Sequence, residues 1–80
     1  MEIKETVKGF LQERIGEDVA FSYDDDIFKL GLANSLLALS LVVYLENTFK
    51  IRIENEDLDL ANFSAVNNIE KFIKRKMELS

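Results

Sequence analysis

Hydrophobic residues recur every three to four positions through roughly the first fifteen residues, and charged or polar residues fill most positions between them. This period is that of an amphipathic helix and predicts one over residues 2–15. Gly16 predicts its end, because glycine readily takes the left-handed conformation in which helices stop. Gly9, in the middle, costs about 1 kcal/mol relative to alanine. The apolar face consists of Ile3, Val7, Phe10, Leu11 and Ile15.

A second helix is predicted over residues 36–49, and it is apolar on nearly every side. In a chain of 80 residues one helix cannot face the core all round. We expect positions 36, 39, 42 or 43, and 45 or 49 to point inward. An apolar patch left outside indicates docking of a partner, while residues that only seal a small core or a dimer contact give the same pattern. The side chains expected near the surface are Leu37, Ser40, Val43 or Tyr44, and Asn47.

Isolated apolar residues are spread through the long connection at 16–34 and are expected to anchor it to the helices. A short helical turn is predicted near residues 25–29. Asp24, Asp25 and Asp26 do not begin an EF-hand calcium loop, because no glycine stands at the sixth position and no glutamate at the twelfth. We expect them to cap the turn and stay solvated. The apolar anchors are Val19, Phe21, Ile27, Phe28, Leu30 and Leu32.

The last part of the chain is predicted to hold irregular structure and then a final helix. Apolar residues spaced by two within 54–60 indicate irregular or single-turn structure. Ser64 is expected to cap the final helix. Its apolar face would be formed by Val66, Ile69, Phe72 and Ile73. Four cations crowd its end, as the helix dipole favours, namely Lys71, Lys74, Arg75 and Lys76.

The composition excludes several kinds of chemistry. The chain has no histidine, cysteine, tryptophan or proline, so it lacks histidine-based triads and thiolate or imidazole metal ligands. Fifteen acidic against ten basic residues give a net charge of −5. That charge argues against nucleic acid or an anionic membrane and favours partners with basic faces, or serves solubility alone. No targeting signal or membrane span is apparent, and a cytoplasmic location is expected.

A serine stands directly before the second predicted helix, and an asparagine precedes it. Asn34 or Ser35 can serve as the N-cap, with a side-chain oxygen that accepts a hydrogen bond from a first-turn N–H. The unpaired N–H groups and the positive end of the helix dipole would also stabilise a phosphate ester there. On these two residues alone, a simple cap is the favoured interpretation.

A longer pattern changes that balance. It consists of Gly31, Asn34, Ser35, Leu36, Leu39 and Leu41, followed by Leu45, Glu46, Phe49, Ile51 and Ile53. The pattern resembles the acyl carrier proteins, whose motif is usually Gly-x-Asp-Ser-Leu before an apolar helix, and the resemblance runs from the first helix to about Lys74. In that family the serine carries 4′-phosphopantetheine. The resemblance implies that Ser35 is the attachment point, flanked by Asn34 and Leu36. Asn34 replaces an aspartate that the family is thought to offer to its phosphopantetheinyl transferase.

Two stretches, 34–42 and 56–63, are similar to a narrower group within that family. These are small free-standing carriers that hold methoxymalonyl, hydroxymalonyl or aminomalonyl extender units for polyketide synthesis. Asn-Ser-Leu is a familiar variant there. The resemblance therefore implies a substituted malonyl cargo, used in polyketide or hybrid peptide–polyketide antibiotic assembly.

The resemblance also implies a partner surface, since the family's second helix is recognised by partner enzymes, commonly through acidic residues. Here Leu37 and Ser40 stand in place of charges and Glu46 is the main acid left, so partners are expected to rely more on apolar contact. The acids at 54, 56, 57 and 59 would meet basic partner residues. A short third helix is implied near Leu58. Contacts with the cargo or arm, or closure of the core, are expected from Leu58, Leu60, Ala61 and Phe63. The predicted partner-binding set is Leu37, Ser40, Val43, Tyr44, Glu46, Asn47 and Leu58.

Together these observations predict one all-α domain over residues 1–80, a small bundle of three main helices plus a short one. The expected function is that of a carrier, not an enzyme, which holds an acyl group as a thioester on phosphopantetheine attached to Ser35. Expected partners are a phosphopantetheinyl transferase, acyl-loading and acyl-modifying enzymes, and acyltransferase or synthase domains; no metal is expected, and the chain is expected to be a monomer. Fatty acyl, aminoacyl and D-alanyl cargoes remain alternatives, as does an unmodified helical interaction module in which Ser35 is only a cap.

Overall fold

The computed structural model describes residues 2–79. Its elements in chain order are α1 (Ile3–Ile15), α2 (Ser35–Phe49), a single 3-10 turn (Asn55–Asp57), α3 (Leu60–Phe63) and α4 (Val66–Leu79). The described residues contain no strand. The predicted all-α bundle of three main helices and a short one is confirmed. Within the same residues, no helix combines the length and apolarity needed to cross a membrane.

One core joins the main helices and the loop between α1 and α2. α4 packs against α1 and α3, and α1 also packs against α2. Phe10 stacks on Tyr44 with ring centroids 4.2 Å apart, and Phe63 meets Phe72 edge-on at 5.2 Å. These aromatic pairs tie α1 to α2 and α3 to α4. The buried side chains of this core cluster are Val7, Phe10, Leu11, Phe21, Ile27, Leu41, Leu45, Ile51, Phe63, Val66, Ile69, Phe72 and Ile73.

The predicted first helix is confirmed, and its end is fixed by Gly16. This residue has a φ of 131°, which a side chain would strain, and its N–H donates to the Gln12 carbonyl at 2.9 Å. The Gln12 side-chain amide then donates to the carbonyls of Gly16 at 2.7 Å and Val19 at 2.6 Å. The chain therefore leaves α1 in a defined direction.

The long connection at 16–34 is anchored by apolar residues, as predicted, although only two of the six are buried; Phe28 and Leu32 are partly buried against the core, and Val19 is partly exposed. Phe21 and Ile27 are buried. The Ile27 N–H donates to the Ser64 carbonyl at 2.8 Å, which fixes the loop to the corner between α3 and α4. The expectation that Leu30 anchors the loop is wrong, because the turn that places Ile27 inward leaves Leu30 on the outside, 56% exposed.

The corner before α4 differs from the predicted cap. α4 begins at Val66, two residues after Ser64. The Ser64 hydroxyl accepts a hydrogen bond from the Asn68 side-chain amide at 3.0 Å, while the Ala65 carbonyl accepts the Ile69 N–H at 3.0 Å. Ser64 thus belongs to the corner that receives the long loop. The predicted apolar face of this helix is confirmed, since all four of its residues are buried.

α2 turns a different side to the core from the one predicted. Leu41 and Leu45 are buried, and Leu37 is partly buried and packs against the core. Leu36 is 73% exposed and Leu39 is 62% exposed. The expectations that positions 36 and 39 point inward and that Leu37 lies near the surface are therefore wrong, while that for position 45 is confirmed. When nearly every position is apolar, the helical period selects no side.

Candidate functional site

Ser35 is the first residue of α2, and its side chain is exposed. The residue before it makes the cap: Asn34 has extended backbone, and its Oδ1 accepts the Leu37 N–H at 3.0 Å. The helix begins one residue earlier than predicted, and of the two cap candidates the structure selects Asn34. No acidic side chain lies in the first turn of α2. The N-terminus of this helix therefore presents its dipole to an exposed hydroxyl, with no acidic side chain in its own first turn.

A tight turn at 27–33 delivers the chain to this helix. The Asp26 carboxylate accepts the N–H groups of Phe28 and Lys29, both at 3.0 Å, which confirms the predicted capping role of an aspartate there. The Ile27 carbonyl accepts hydrogen bonds from the N–H groups of residues 32 and 33. Gly31 lies inside the turn with a φ of 75°, a conformation that costs little only for glycine. These hydrogen bonds fix the end of the loop and therefore the position at which α2 begins.

An apolar cavity of about 480 Å³ opens beside Ser35. Its lining comes from α2, from the segment that runs from Leu58 into α3, and from Phe28 of the long loop. Its volume falls within the range of small-molecule sites, roughly 300–1,000 Å³. The lining residues are Phe28, Asn34, Ser35, Ala38, Leu39, Val42, Leu58, Asp59, Leu60 and Phe63. The structure therefore brings three residues predicted to contact cargo, at positions 58, 60 and 63, together with Ser35.

Sequence reasoning missed the α2 side of this cavity. Ala38, Leu39 and Val42 follow Ser35 at intervals of three, four and seven residues, the spacing that places residues on one helical face. That spacing is the signal in the sequence that indicates the α2 side of the cavity. It is obscured because the apolar pattern of α2 also predicts a core position for Leu39. For Phe28, the sequence predicts only an anchor of the loop. Ala61, expected to contact cargo, is exposed.

The wall of the cavity opposite α2 is held by Asp57. Its carboxylate accepts the Lys76 ammonium at 2.7 Å and the Glu54 N–H at 2.9 Å. The Glu54 side chain in turn accepts the Asp57 N–H, which completes a capping box around the 3-10 turn. The Lys76 and Glu54 hydrogen bonds and the nearby Arg75 charge lower the pKa of Asp57, against the opposing effect of burial.

The other acids of this region are also engaged within the chain. Asp59 caps α3 by accepting the Ala61 N–H at 3.0 Å, and Glu54 lies 3.4 Å from the Arg52 guanidinium. With Asp57 bound to Lys76, three of the four acids predicted to meet partner cations serve local structure. Glu56 is exposed.

The predicted partner-binding residues on α2 are only partly gathered on one surface. Ser40, Val43 and Asn47 are exposed, as is Leu58 across the cavity. Tyr44 is half-buried because it stacks on Phe10 of α1. The Glu46 carboxylate accepts the Ile53 N–H at 2.9 Å and so holds the chain that leaves α2. Leu36 and Leu39 take the outward positions instead, which makes the outer face of α2 beside Ser35 apolar.

Comparison with known proteins connects this geometry to a family. Residues 3–73 match the family described as the phosphopantetheine attachment site. The chain is 30% identical over 69 residues to the D-alanyl carrier protein of Streptococcus suis (strain 05ZYH33), and this alignment covers 86% of this chain and 87% of that protein. It is 33% identical to the D-alanyl carrier protein of Streptococcus sanguinis (strain SK36) with the same coverage. Identity to the D-alanyl carrier protein of Leuconostoc citreum (strain KM20) is 32%, over 86% of this chain and 88% of that protein.

Proposed function

Because the chain belongs to the family of proteins with a phosphopantetheine attachment site, the acyl carrier proteins, we propose that Ser35 is the residue that bears the arm. The chain is a non-catalytic carrier whose cofactor is covalently attached 4′-phosphopantetheine. The observation that supports Ser35 is its exposed position as the first residue of α2, beside an apolar cavity.

The surroundings of Ser35 fit a phosphate ester followed by a long arm. The N–H groups that begin a helix and the positive end of its dipole stabilise a phosphate. No acid in the first turn of α2 opposes that charge, and Asn34 is neutral. The open apolar cavity then offers the arm or a short acyl group an apolar surface to pack against.

The division of labour follows from the composition. The arm supplies the thiol on which an acyl group is held as a thioester, since the chain has no cysteine. The residues of the chain hold and present it: Asn34 fixes the start of α2, and Leu39 and Leu58 shelter the space beside Ser35. Tethering raises the effective concentration of the acyl group at each successive enzyme.

For the cargo, the comparisons favour the D-alanyl alternative over a malonyl extender unit, and we propose D-alanine as the first candidate. The relatives described above are D-alanyl carrier proteins that align over most of both chains. Among the described residues that line the cavity, Asp59 is the only charged one, and a carboxylate suits an amino group better than a second carboxylate. A substituted malonyl unit is the second candidate, because the stretches 34–42 and 56–63 resemble the carriers of such units.

Partner enzymes are proposed to bind the outer face of α2. Leu36, Leu39 and Val43 form an exposed apolar strip that starts next to Ser35. Ser40, Asn47 and, across the cavity, Leu58 extend it. Leu37, Tyr44 and Glu46, which the sequence also assigned to this surface, would contribute only their exposed edges. A transferase and acyl-loading enzymes would then bind an apolar surface. The predicted location of the protein remains the cytoplasm.

Attachment is tested by intact mass after incubation with coenzyme A, magnesium and a broad-specificity phosphopantetheinyl transferase. We expect one phosphopantetheine on the parent protein and none on Ser35→Ala. Ser22→Ala is the matched control, because it removes an exposed serine that lies in the long loop, outside the proposed partner surface, and should leave the modification intact. Modification of Ser35→Ala would assign the arm to another residue, and failure of both the parent and Asn34→Asp with several transferases would favour an unmodified interaction module.

The cargo is tested on the modified protein with two loading systems. One contains D-alanine, ATP and a D-alanine-activating ligase; the other contains enzymes that transfer a substituted malonyl precursor. Thioester formation is followed by intact mass, with Ser35→Ala as the blank. Loading by the ligase alone supports the D-alanyl proposal, and loading by the second system alone overturns it in favour of the extender unit.

A further inference from the structure

The Asp57–Lys76 pair differs from the other ion pairs of the described surface. Its atoms are 2.7 Å apart, and both side chains are largely covered, 19% and 17% exposed. The Lys4–Glu70, Arg52–Glu54 and Lys74–Glu70 pairs are longer, at 3.7, 3.4 and 3.7 Å, and their cations are 36%, 87% and 61% exposed. Short charge-assisted hydrogen bonds out of water contribute more than exposed pairs, which contribute little. Asp57 and Lys76 therefore form a structural joint between the 3-10 turn and α4.

This joint lies at one end of the cavity wall. From Asp57 the chain passes through Leu58 and Leu60 into α3, and at the far end Phe63 is buried against Phe72 of α4. A second bond, from the Asn62 side-chain amide to the Asp57 carbonyl at 2.8 Å, closes the segment on itself. The wall is therefore held to α4 at both of its ends.

Packing alone does not fix the middle of the wall. Leu58 is 51% exposed and Leu60 is 61% exposed, so neither side chain is clamped by the core. Both nevertheless line the cavity opposite Ser35. Their distance from α2 must therefore depend on the two contacts that attach the wall to α4. The Phe63–Phe72 contact is part of the core, and the Asp57–Lys76 ion pair is not.

We propose that the Asp57–Lys76 ion pair sets the position of the wall segment 58–60 and thereby the space beside Ser35 that is available to the arm and its acyl group. Asp57 and Lys76 are positioning residues, because they attach the wall segment to α4 and act on the cavity only through Leu58 and Leu60. The consequence for the arm rests on the proposed attachment at Ser35. The effect on the wall does not depend on it.

The first test measures amide hydrogen exchange by NMR on the unmodified protein. The N–H groups of Leu58, Ala61 and Asn62 are all hydrogen-bonded within the wall and report its opening. Lys76→Met should raise their exchange rates about tenfold, as expected for loss of a partly covered charge-assisted bond. Lys74→Met, two residues earlier on the same helix, is the matched control and should leave them unchanged.

Asp57→Asn serves as a second variant, because an amide oxygen still accepts the Glu54 N–H while the charge toward Lys76 is lost. It should reproduce the effect of Lys76→Met. The amide of Leu45, in the core part of α2, separates positioning from general stability. If its exchange rises by the same factor as that of the wall amides, or if the wall amides do not respond in either variant, the proposal is overturned.

The second test places a polarity-sensitive fluorophore at the end of an arm attached from a coenzyme A conjugate. Emission from the parent protein should be shifted to the blue by the apolar cavity, and Lys76→Met should reduce that shift while Lys74→Met retains it. An unchanged emission in Lys76→Met contradicts the inference with the carrier function intact. If no variant accepts the arm, the attachment proposal fails, and the exchange measurement alone decides whether the ion pair positions the wall.

Discussion

The Asn34 side chain accepts a hydrogen bond from the Leu37 N–H at 3.0 Å, so the cap of α2 is made by the residue before the serine. This contact separates two roles that the sequence left in competition. Asn34 performs the structural one, and the exposed hydroxyl of Ser35 is not needed for it. A residue whose side chain is not required for folding is free to be modified.

Substitutions at the two positions should therefore differ in their effect on stability. Asn34→Ala should lower the free energy of unfolding by about 1 kcal/mol, because a first-turn N–H loses its acceptor. Ser35→Ala should change it by less than about 0.5 kcal/mol. Urea denaturation measures both, with Asn34→Asp as the control that keeps an acceptor. An equal loss for Ser35→Ala would mean that the serine hydroxyl caps the helix after all.

Gly9 should be replaceable with a gain in stability. It lies inside α1 on the exposed side, and a β-carbon built there meets no atom within 4 Å. Gly9→Ala should raise the free energy of unfolding by about 0.5–1 kcal/mol, since alanine loses less backbone entropy in a helix. Thermal denaturation followed by circular dichroism would show a higher Tm.

Gly31→Ala provides the contrasting control for that change. Its surroundings are equally open, but its φ of 75° is unfavourable for any side chain. The same substitution should here lower stability by about 1 kcal/mol. Stabilisation at both positions would show that the turn before α2 relaxes to accept alanine.

The helices could be predicted from the sequence where one face alone is apolar. α1 alternates apolar and charged faces, and both its extent and its end at Gly16 follow from the pattern. In α2 nearly every side is apolar, so the side that meets the core is decided by tertiary contacts such as the stacking of Tyr44 on Phe10. No local pattern contains that information.

The candidate site was predictable in part for a similar reason. Ser35 and its helix N-terminus are local features, readable from adjacent residues. The cavity depends on residues distant in the chain, since Phe28 and Leu58 meet only when the long loop and the wall segment are docked. The Asp57–Lys76 bond joins residues 19 positions apart, and no spacing in the sequence distinguishes that pair from other acid–base pairs.

The orientation of α2 makes a direct prediction. Leu41→Ala should lower the free energy of unfolding by about 2–5 kcal/mol, because Leu41 is 1% exposed and leaves a cavity in the core. Leu36→Ala, at a position on the outer face, should change it by less than about 0.5 kcal/mol. The same two variants, tested as substrates of the transferase and loading enzymes, should reverse in rank, with Leu36→Ala the poorer substrate while folded. A large stability loss in Leu36→Ala would restore the orientation expected from the sequence.

Asp57 should make part of the protein's stability depend on pH. Its pKa is lowered in the fold by the Lys76 hydrogen bond, then by that of Glu54, with the Lys76 and Arg75 charges adding to the effect. A carboxylate whose folded pKa is lowered binds protons more readily when unfolded, so it stabilises the fold above its unfolded pKa of about 4. That contribution falls as the pH drops from about 4 through the lower folded pKa.

Asp57→Asn should therefore be less stable than the parent by about 1 kcal/mol near pH 7. The difference should narrow as the pH drops below about 4, because the carboxyl of the unfolded chain then binds a proton before that of the folded protein does. Urea denaturation from about pH 7 to pH 3 measures the difference, with Glu56→Gln, an exposed acid next to Asp57, as the control expected to follow the parent. A constant difference between Asp57→Asn and the parent across this range would show that the ionised carboxylate is not what holds the 3-10 turn to α4.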